Sequence, residues 1–334
     1  MISKNKVIIL TEGGSEIGLG HITRCLALYE AFKEYDLEPV LIVNGDKKVD
    51  EFLKNRNIQY KIENWIKNAK LMKDSILIID SYLAPGKVYS TLKKNNNIVI
   101  VIDDYNRLQY NADIIVSPTI YGEFLNYKKH SNMLYLLGSK YIILRKEFWN
   151  IPSKKIDKDL KNIMITFGGE DVRNLTPKML GLLKDMPYNF HVVIGRAFKD
   201  MTYISKYKGS NISFYFDLDT KDMLNLMLLS DVAISSCGLT LYELARVGVP
   251  TIGIVVAENQ RLNAQYFQKF GFLVYAGEYK NNNLERNILE SLEILNDYHE
   301  RKLRSEIGKK LIDGLGAKRI VAEVVKYENS ISRR

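Results

Sequence analysis

Ten short runs of branched and aromatic residues punctuate the chain, and most lack the polar alternation of a half-exposed strand. They are KVIIL at 6–10, PVLIV at 39–43, SILIID at 75–80, NIVIVIDD at 97–104 and ADIIVSPT at 112–119, followed by NIMITF at 162–167, FHVVIG at 190–195, ISFYF at 212–216, DVAIS at 231–235 and PTIGIVV at 250–256. A strand that is apolar on both sides must be covered on both sides, which is the condition of a parallel sheet sandwiched by helices. The segments between the runs supply such helices. Ile22, Leu26, Tyr29 and Phe32 recur at helical spacing over 20–35. Further helices are expected from about 47, over a lysine-rich stretch at 63–73, over 219–230, from 239, over 259–270 and through the tail at 283–330. The chain is therefore α/β, with two doubly wound halves.

At 334 residues it is too long for one ordinary core. The break falls at FWNIPSKKIDKDLK, where Pro152 meets a charge cluster, so the domains are expected at 1–150 and 151–334, with the helical tail in the second. Ligands of such sheets bind beyond the carboxyl ends of the strands.

Composition removes several functions. Basic residues number 48 against 39 acidic, a net charge of +9, but they are interspersed with acids and form no nucleic-acid motif. No apolar run approaches the roughly 18 residues needed to span a bilayer, and MISKNKVIIL carries too few apolar residues for a signal-peptide core. A cytoplasmic protein with neither nucleic-acid nor membrane partner is expected. Cys25 and Cys237 read as buried thiols rather than a disulfide. His21, His130, His191 and His299 are dispersed, with no metal-binding pair and no cofactor motif.

Three loops carry the chemistry. GGSEIGLGHITRC at 13–25 follows the first strand, and a glycine loop leading into a helix offers free N–H groups and a partial positive charge to an anion. Gly18 and Gly20 allow close approach, His21 stands in the first helical turn, and Arg24 lies one turn on, near the same face. TFGGEDVRNLT at 166–176 repeats the pattern with Gly168 and Gly169, and Asp171 or Asn174 is placed to cap its helix. In SSCGLTLYELARVGVPTIGIVVAENQ, at 235–260, Gly238, Leu239 and Thr240 open a helix whose start can hold a pyrophosphate. Glu243, one turn inside, can accept from ribose hydroxyls or else pair with Arg246, and Asn259 and Gln260 open another helix at the sheet edge. Of the acids that end the strands, Asp80 and Asp103 read as groups that could orient the histidine or the sugar, while the Asp103–Asp104 doublet otherwise reads as an ordinary strand-to-loop cap.

GLGHITRCLAL, FGGED, GLTLYELARVGVPTIGI with its following Asn-Gln, LGSKYIILRKEFW and the late DGLGAKRI together resemble the UDP-sugar hydrolases of pseudaminic acid biosynthesis and the related spore-coat polysaccharide proteins, within the GT-B nucleotide-sugar glycosyltransferases. The resemblance implies two facing Rossmann-like domains with a cleft, the nucleotide held by the second. It implies hydrolysis of a UDP-linked 2,4-diacetamido-2,4,6-trideoxy sugar at the anomeric carbon, with no metal. His21 then matches the histidine at the reacting centre, while Gly168, Gly169, Gly238, Thr240, Glu243, Asn259 and Gln260 match residues lining nucleotide and sugar. Two places depart from the family pattern. Its Arg-x-Asp at the end of the first strand is Leu10-Thr11-Glu12 here, and its Asp-His-Tyr is Asp80-Ser81-Tyr82. On this reading His21 is the general base, with Asp80 and Tyr82 orienting it or the sugar. A GT-B transferase using the same donor, or a non-catalytic sugar-nucleotide binder, would carry the same donor motifs.

Overall fold

The computed structural model describes residues 6–198, 201–207 and 211–331. The chain divides into two compact units. One comprises the residues up to Lys146 together with those from Gly314 onward; the other is Glu147–Asp313.

The first unit holds seven strands: β1 (Lys6–Glu12), β2 (Val40–Asn44), β3 (Tyr60–Ile62), β4 (Ser75–Asp80), β5 (Ile98–Ile102), β6 (Ile114–Ser117) and β7 (Leu134–Leu137). They are all parallel, in the order β3-β2-β1-β4-β5-β6-β7. Burial explains the sequence runs. Leu77 and Ile79 of β4 join a core with Val99, Val101, Trp65 and Tyr89, while Ile76 and Ile78, on the opposite face, are just as buried. Each such side chain removed from water contributes about 1.5–3 kcal/mol.

The second unit holds β8 (Asn162–Thr166), β9 (Asn189–Ile194), β10 (Ile212–Phe216), β11 (Val232–Ser236), β12 (Thr251–Val255) and β13 (Leu273–Glu278), again all parallel, in the order β10-β9-β8-β11-β12-β13. In each sheet the chain reverses its direction of winding once. That switch point lies between β1 and β4 in the first unit and between β8 and β11 in the second, so the loops after these strands form the natural ligand sites.

Three expectations are corrected. The lysine-rich stretch at 63–73 is not an α-helix but a set of turns with a single 3-10 turn at Ala69–Leu71. Trp65 decides this: its ring is fully buried and its indole N–H donates to the Thr11 carbonyl at 2.7 Å, which ties the segment to the core. The short strands β3, β7 and β13, absent from the sequence reading, lie at sheet edges and are for the most part only half-buried. Finally, the tail is broken into helices Leu284–Asn296, Tyr298–Leu311 and Gly316–Ile331, and the last of these belongs to the first unit rather than the second. Gly316 makes this docking possible, because a Cβ there would lie 2.0 Å from the Ile142 carbonyl oxygen. Arg319 then donates to the Lys140 carbonyl, and Lys318 pairs with Glu34.

The charged stretch read as a linker is pinned within the second unit. Arg301, fully buried, donates to the carbonyls of Asp157 and Lys158 as well as those of Leu295 and Asn296. Both cysteines are free and buried, as expected. Among the described residues, no helix is long and apolar enough to cross a membrane.

Candidate functional site

The first switch point is built from charged side chains. β1 ends at Glu12 and the chain turns through a loop that Gly14 and Gly18 close with reciprocal backbone hydrogen bonds of 3.0 and 2.8 Å. Gly18 has φ +81°, a left-handed conformation that a side chain would oppose. Ser15 N–H donates to Asp46, fastening the loop to its neighbour. Helix Gly20–Lys33 begins directly afterwards, which puts His21 in its first turn. β4, adjacent to β1, ends at Asp80, and its carboxylate is fully buried.

His21 Nδ1 lies 2.7 Å from Asp80 Oδ1. Arg24 grips the same carboxylate in a fork, Nε to Oδ2 and Nη2 to Oδ1, both at 2.5 Å. Its remaining nitrogen, Nη1, donates to both oxygens of Asp104 at 2.9 and 2.8 Å. The Tyr82 hydroxyl also donates to Asp104, and the Tyr82 ring meets the imidazole edge-on with centroids 4.5 Å apart. Burial pushes the Asp80 carboxyl up, but the Arg24 charge, the His21 ring and the hydrogen bonds of both outweigh it and hold the group well below the usual carboxylate range. Burial and the Asp104 charge drive the Tyr82 phenol far above its ordinary value, so it stays protonated and serves as a donor.

This geometry assigns the tautomer. An ionised Asp80 can only accept, so Nδ1 carries the proton. Arg24 Nη2, 3.3 Å from Nδ1, is also a donor and makes no bond there; it is drawn close by the carboxylate that the two share. In the neutral ring Nε2 then keeps the lone pair. Arg24, which the sequence placed near the same helix face as His21, bonds to Asp80 and Asp104 in the structure. Asp104 was hidden in a doublet that read as a cap. Asp103 is the capping member, accepting from the Arg107 N–H and from the Tyr127 hydroxyl at 2.8 Å. The signal for Asp104 was strand alternation, since neighbouring acids at a strand end face opposite ways.

The two family departures meet in one place. Glu12, fully buried, accepts from Ser81 Oγ at 2.5 Å, from Tyr82 N–H at 2.6 Å and from Leu83 N–H at 3.2 Å. Arg107 donates to the carbonyls of Ser81 and Ala84 from the other side. The longer acid and the serine thus complement each other and fix the turn that presents Tyr82.

The second switch point is built from backbone. Gly168, with φ +87°, and Gly169 follow β8, and a Cβ built on either would meet nothing within 4 Å. Gly195, at the end of β9, packs so closely on this loop that its own Cβ would lie 2.5 Å from the Gly169 oxygen. β11 pairs with β8 and leads to Gly238, from which helix Leu239–Val247 starts with no side-chain cap. Leu239 is exposed, Thr240 half-buried and Glu243 buried. Arg246 donates to the carbonyls of Phe148 and Trp149. Asn259 and Gln260 form the 3-10 turn after β12; Gln260 Oε1 accepts from Val256 N–H, and its Nε2 comes within 3.5 Å of a Cβ built on Gly238. Asp171, not Asn174, caps helix Leu175–Leu183, accepting from Leu175 and Thr176 N–H at 2.9 and 2.6 Å. Among the described residues, no cluster of three or more histidine, cysteine or acidic side chains is arranged to hold a metal.

Residues 162–315 match the glycosyltransferase family 28 C-terminal domain. An uncharacterized protein of Methanocaldococcus jannaschii is 30% identical over 77% of this chain, which spans 57% of that relative. The spore coat polysaccharide biosynthesis protein SpsG of Bacillus subtilis is 27% identical over 94% of this chain and 96% of its own length. UDP-2,4-diacetamido-2,4,6-trideoxy-beta-L-altropyranose hydrolase of Campylobacter jejuni is 24% identical over 82% of this chain and 99% of its own length. Among solved structures, MurG of Acinetobacter baumannii superposes with TM-score 0.69 at 14% identity, covering 96% of this chain and 99% of its own. UGT2 of Phytolacca americana, complexed with UDP-2fluoro-glucose and pterostilbene, gives 0.68 at 12% identity, covering 97% and 100%. The fold of two parallel-sheet Rossmann-like units is that of the GT-B glycosyltransferases.

Proposed function

We propose that this member of the GT-B superfamily hydrolyses a UDP-linked sugar of the 2,4-diacetamido-2,4,6-trideoxy type at its anomeric carbon, releasing UDP, in nonulosonic acid or surface polysaccharide synthesis. The observation that carries the reading is the His21–Asp80 contact at 2.7 Å, which favours the proton on Nδ1 and supports Nε2 as the base. The Campylobacter jejuni relative supports the substrate class by its name.

In the reaction, Nε2 takes a proton from water as the water oxygen bonds to the anomeric carbon. The bond from that carbon to the diphosphate oxygen breaks, and UDP departs with the electron pair. The imidazolium that forms faces the ionised Asp80, then returns its proton to solvent. The second unit supplies the nucleotide contacts. Backbone N–H groups at Gly168–Gly169 and at the uncapped helix start of Gly238, Leu239 and Thr240 meet the diphosphate. Glu243 accepts from the ribose, and Asn259 and Gln260 bind along the nucleotide sugar. Gly18 and Gly20 let backbone approach the sugar, and the Tyr82 ring walls the imidazole.

The test is a panel of UDP-sugars incubated without acceptor, with free UDP and the anomeric signals followed by NMR. Prompt release is expected from wild type. His21→Asn is expected to lower it by about 10²–10⁴-fold, the scale of a positioned general base, with UDP affinity by calorimetry unchanged. Turnover retained in His21→Asn removes His21 from the chemistry, and release that waits for an added acceptor makes the protein a transferase.

A further inference from the structure

Arg24 stands between two buried carboxylates, an arrangement more elaborate than holding a ring requires. Asp80 alone fixes the imidazole, yet Arg24 brings a guanidinium nitrogen to 3.3 Å from His21 Nδ1. An uncompensated cation at that distance, among His21, Arg24, Asp80 and Asp104 side chains that are about a tenth exposed or less, opposes any second positive charge. Asp104 is the group that compensates it.

We infer that Asp104 is a positioning residue that acts through Arg24 to set how readily His21 accepts a proton, an inference that rests on His21 being the base. Charge counting gives the reason. Asp80, Arg24 and Asp104 sum to one negative charge, so a proton on His21 brings the buried group to neutrality. Without Asp104 the same proton would leave a buried net positive charge, which is costly. The other groups around the ring do not change the count. Tyr82 is a protonated donor to Asp104, and Cys25, 3.6 Å from Asp80 Oδ2, is kept a neutral thiol by burial and by Asp80. Glu12 is held on the turn below Tyr82 by Ser81 Oγ and two backbone N–H groups, and the Arg107 guanidinium bound to the carbonyls of the same turn offsets it.

The signs follow directly. Removing the Asp104 charge disfavours the imidazolium, so His21 should titrate at lower pH. Removing the Arg24 charge favours it, so His21 should titrate at higher pH. Removing both restores the balance. The chain has four histidines, so ring-carbon NMR of labelled, substrate-free protein resolves each, with His21→Asn giving the assignment.

Asp104→Asn is expected to lower the His21 midpoint by at least about half a pH unit, and Arg24→Gln to raise it. The double variant should return to wild type. Asp104→Glu, which keeps the charge, should also stay near wild type; this comparison decides the matter even where Arg24→Gln does not fold. An unmoved midpoint in Asp104→Asn, or equal displacement in Asp104→Asn and Asp104→Glu, overturns the inference. Because the readout needs no turnover, a protein that releases no UDP refutes the proposed hydrolysis and leaves this coupling separately measurable.

Discussion

The two units solve one topological problem with opposite materials. Each has a parallel sheet with a single switch point and a glycine loop after its first strand. In the first unit that point is occupied by side chains: His21, Arg24, Asp80, Tyr82 and Asp104 form a continuous chain of charge-assisted bonds. In the second it is occupied by main chain, with room above Gly168 and Gly169 and an uncapped helix start at Leu239. Two charged groups of the first loop there are engaged within the unit. Asp171 caps a helix, and Arg173 donates to the Val256 carbonyl while stacking over Tyr279. A fixed network of side chains suits proton transfer, which depends on one orientation and one tautomer. Backbone N–H groups suit a diphosphate, whose charge is spread over several oxygens.

The contrast can be broken experimentally. The largest effect is expected from Arg24→Met, which leaves Asp80 and Asp104 buried without their cation and should cost about 3–5 kcal/mol. Each unit carries one of the two tryptophans, so fluorescence of Trp65 in a Trp149→Phe background reports urea unfolding of the first unit alone. Amide exchange in β8 and β11 should remain at the wild-type level; equal loss in both units would show that the network is not local.

A smaller effect follows from acid. The depressed Asp80 carboxyl contributes stability that is complete above its unfolded value near pH 4 and is lost as pH falls toward the lower folded value, because the unfolded state binds the proton first. The Trp65-reported urea midpoint should therefore fall more steeply between pH 5 and pH 2.5 in wild type than in Asp80→Asn. Parallel slopes would remove Asp80 from the acid response.

The smallest effect on folding belongs to Gly169→Ala. Its Cβ meets nothing within 4 Å and its φ is not positive, so stability should hold within about 0.5 kcal/mol. UDP affinity measured by calorimetry should nevertheless drop several-fold, because the methyl group would stand where the proposed function has the diphosphate approach. Unchanged affinity would mean that the second unit does not bind through this backbone.

The parallel sheets were legible because burial on both faces writes itself into consecutive residues, as in Ile98–Ile102. The place of His21 in a first helical turn was legible because a glycine loop and a helical pattern meet at that point. The turns around Trp65 were not, since a lysine-rich surface conceals one anchoring indole. Arg24 was seen without its partners. Its spacing from His21 shows a shared helix face, whereas its partners lie 56 and 80 residues away. The same distance in sequence hid Asp104, and it hid the fit between Glu12 and Ser81.

Local chemistry in the chain thus determined the strands, the glycine loops and the placing of one histidine at a helix start, because each depends on neighbours within a few residues. Folding alone decided which charges neutralise which, and that Gly316 lets the last helix dock on the first unit rather than the second. Hydrogen bonds and ion pairs act over a few ångströms of space, and only the packed sheet brings the ends of β1, β4 and β5 within that reach.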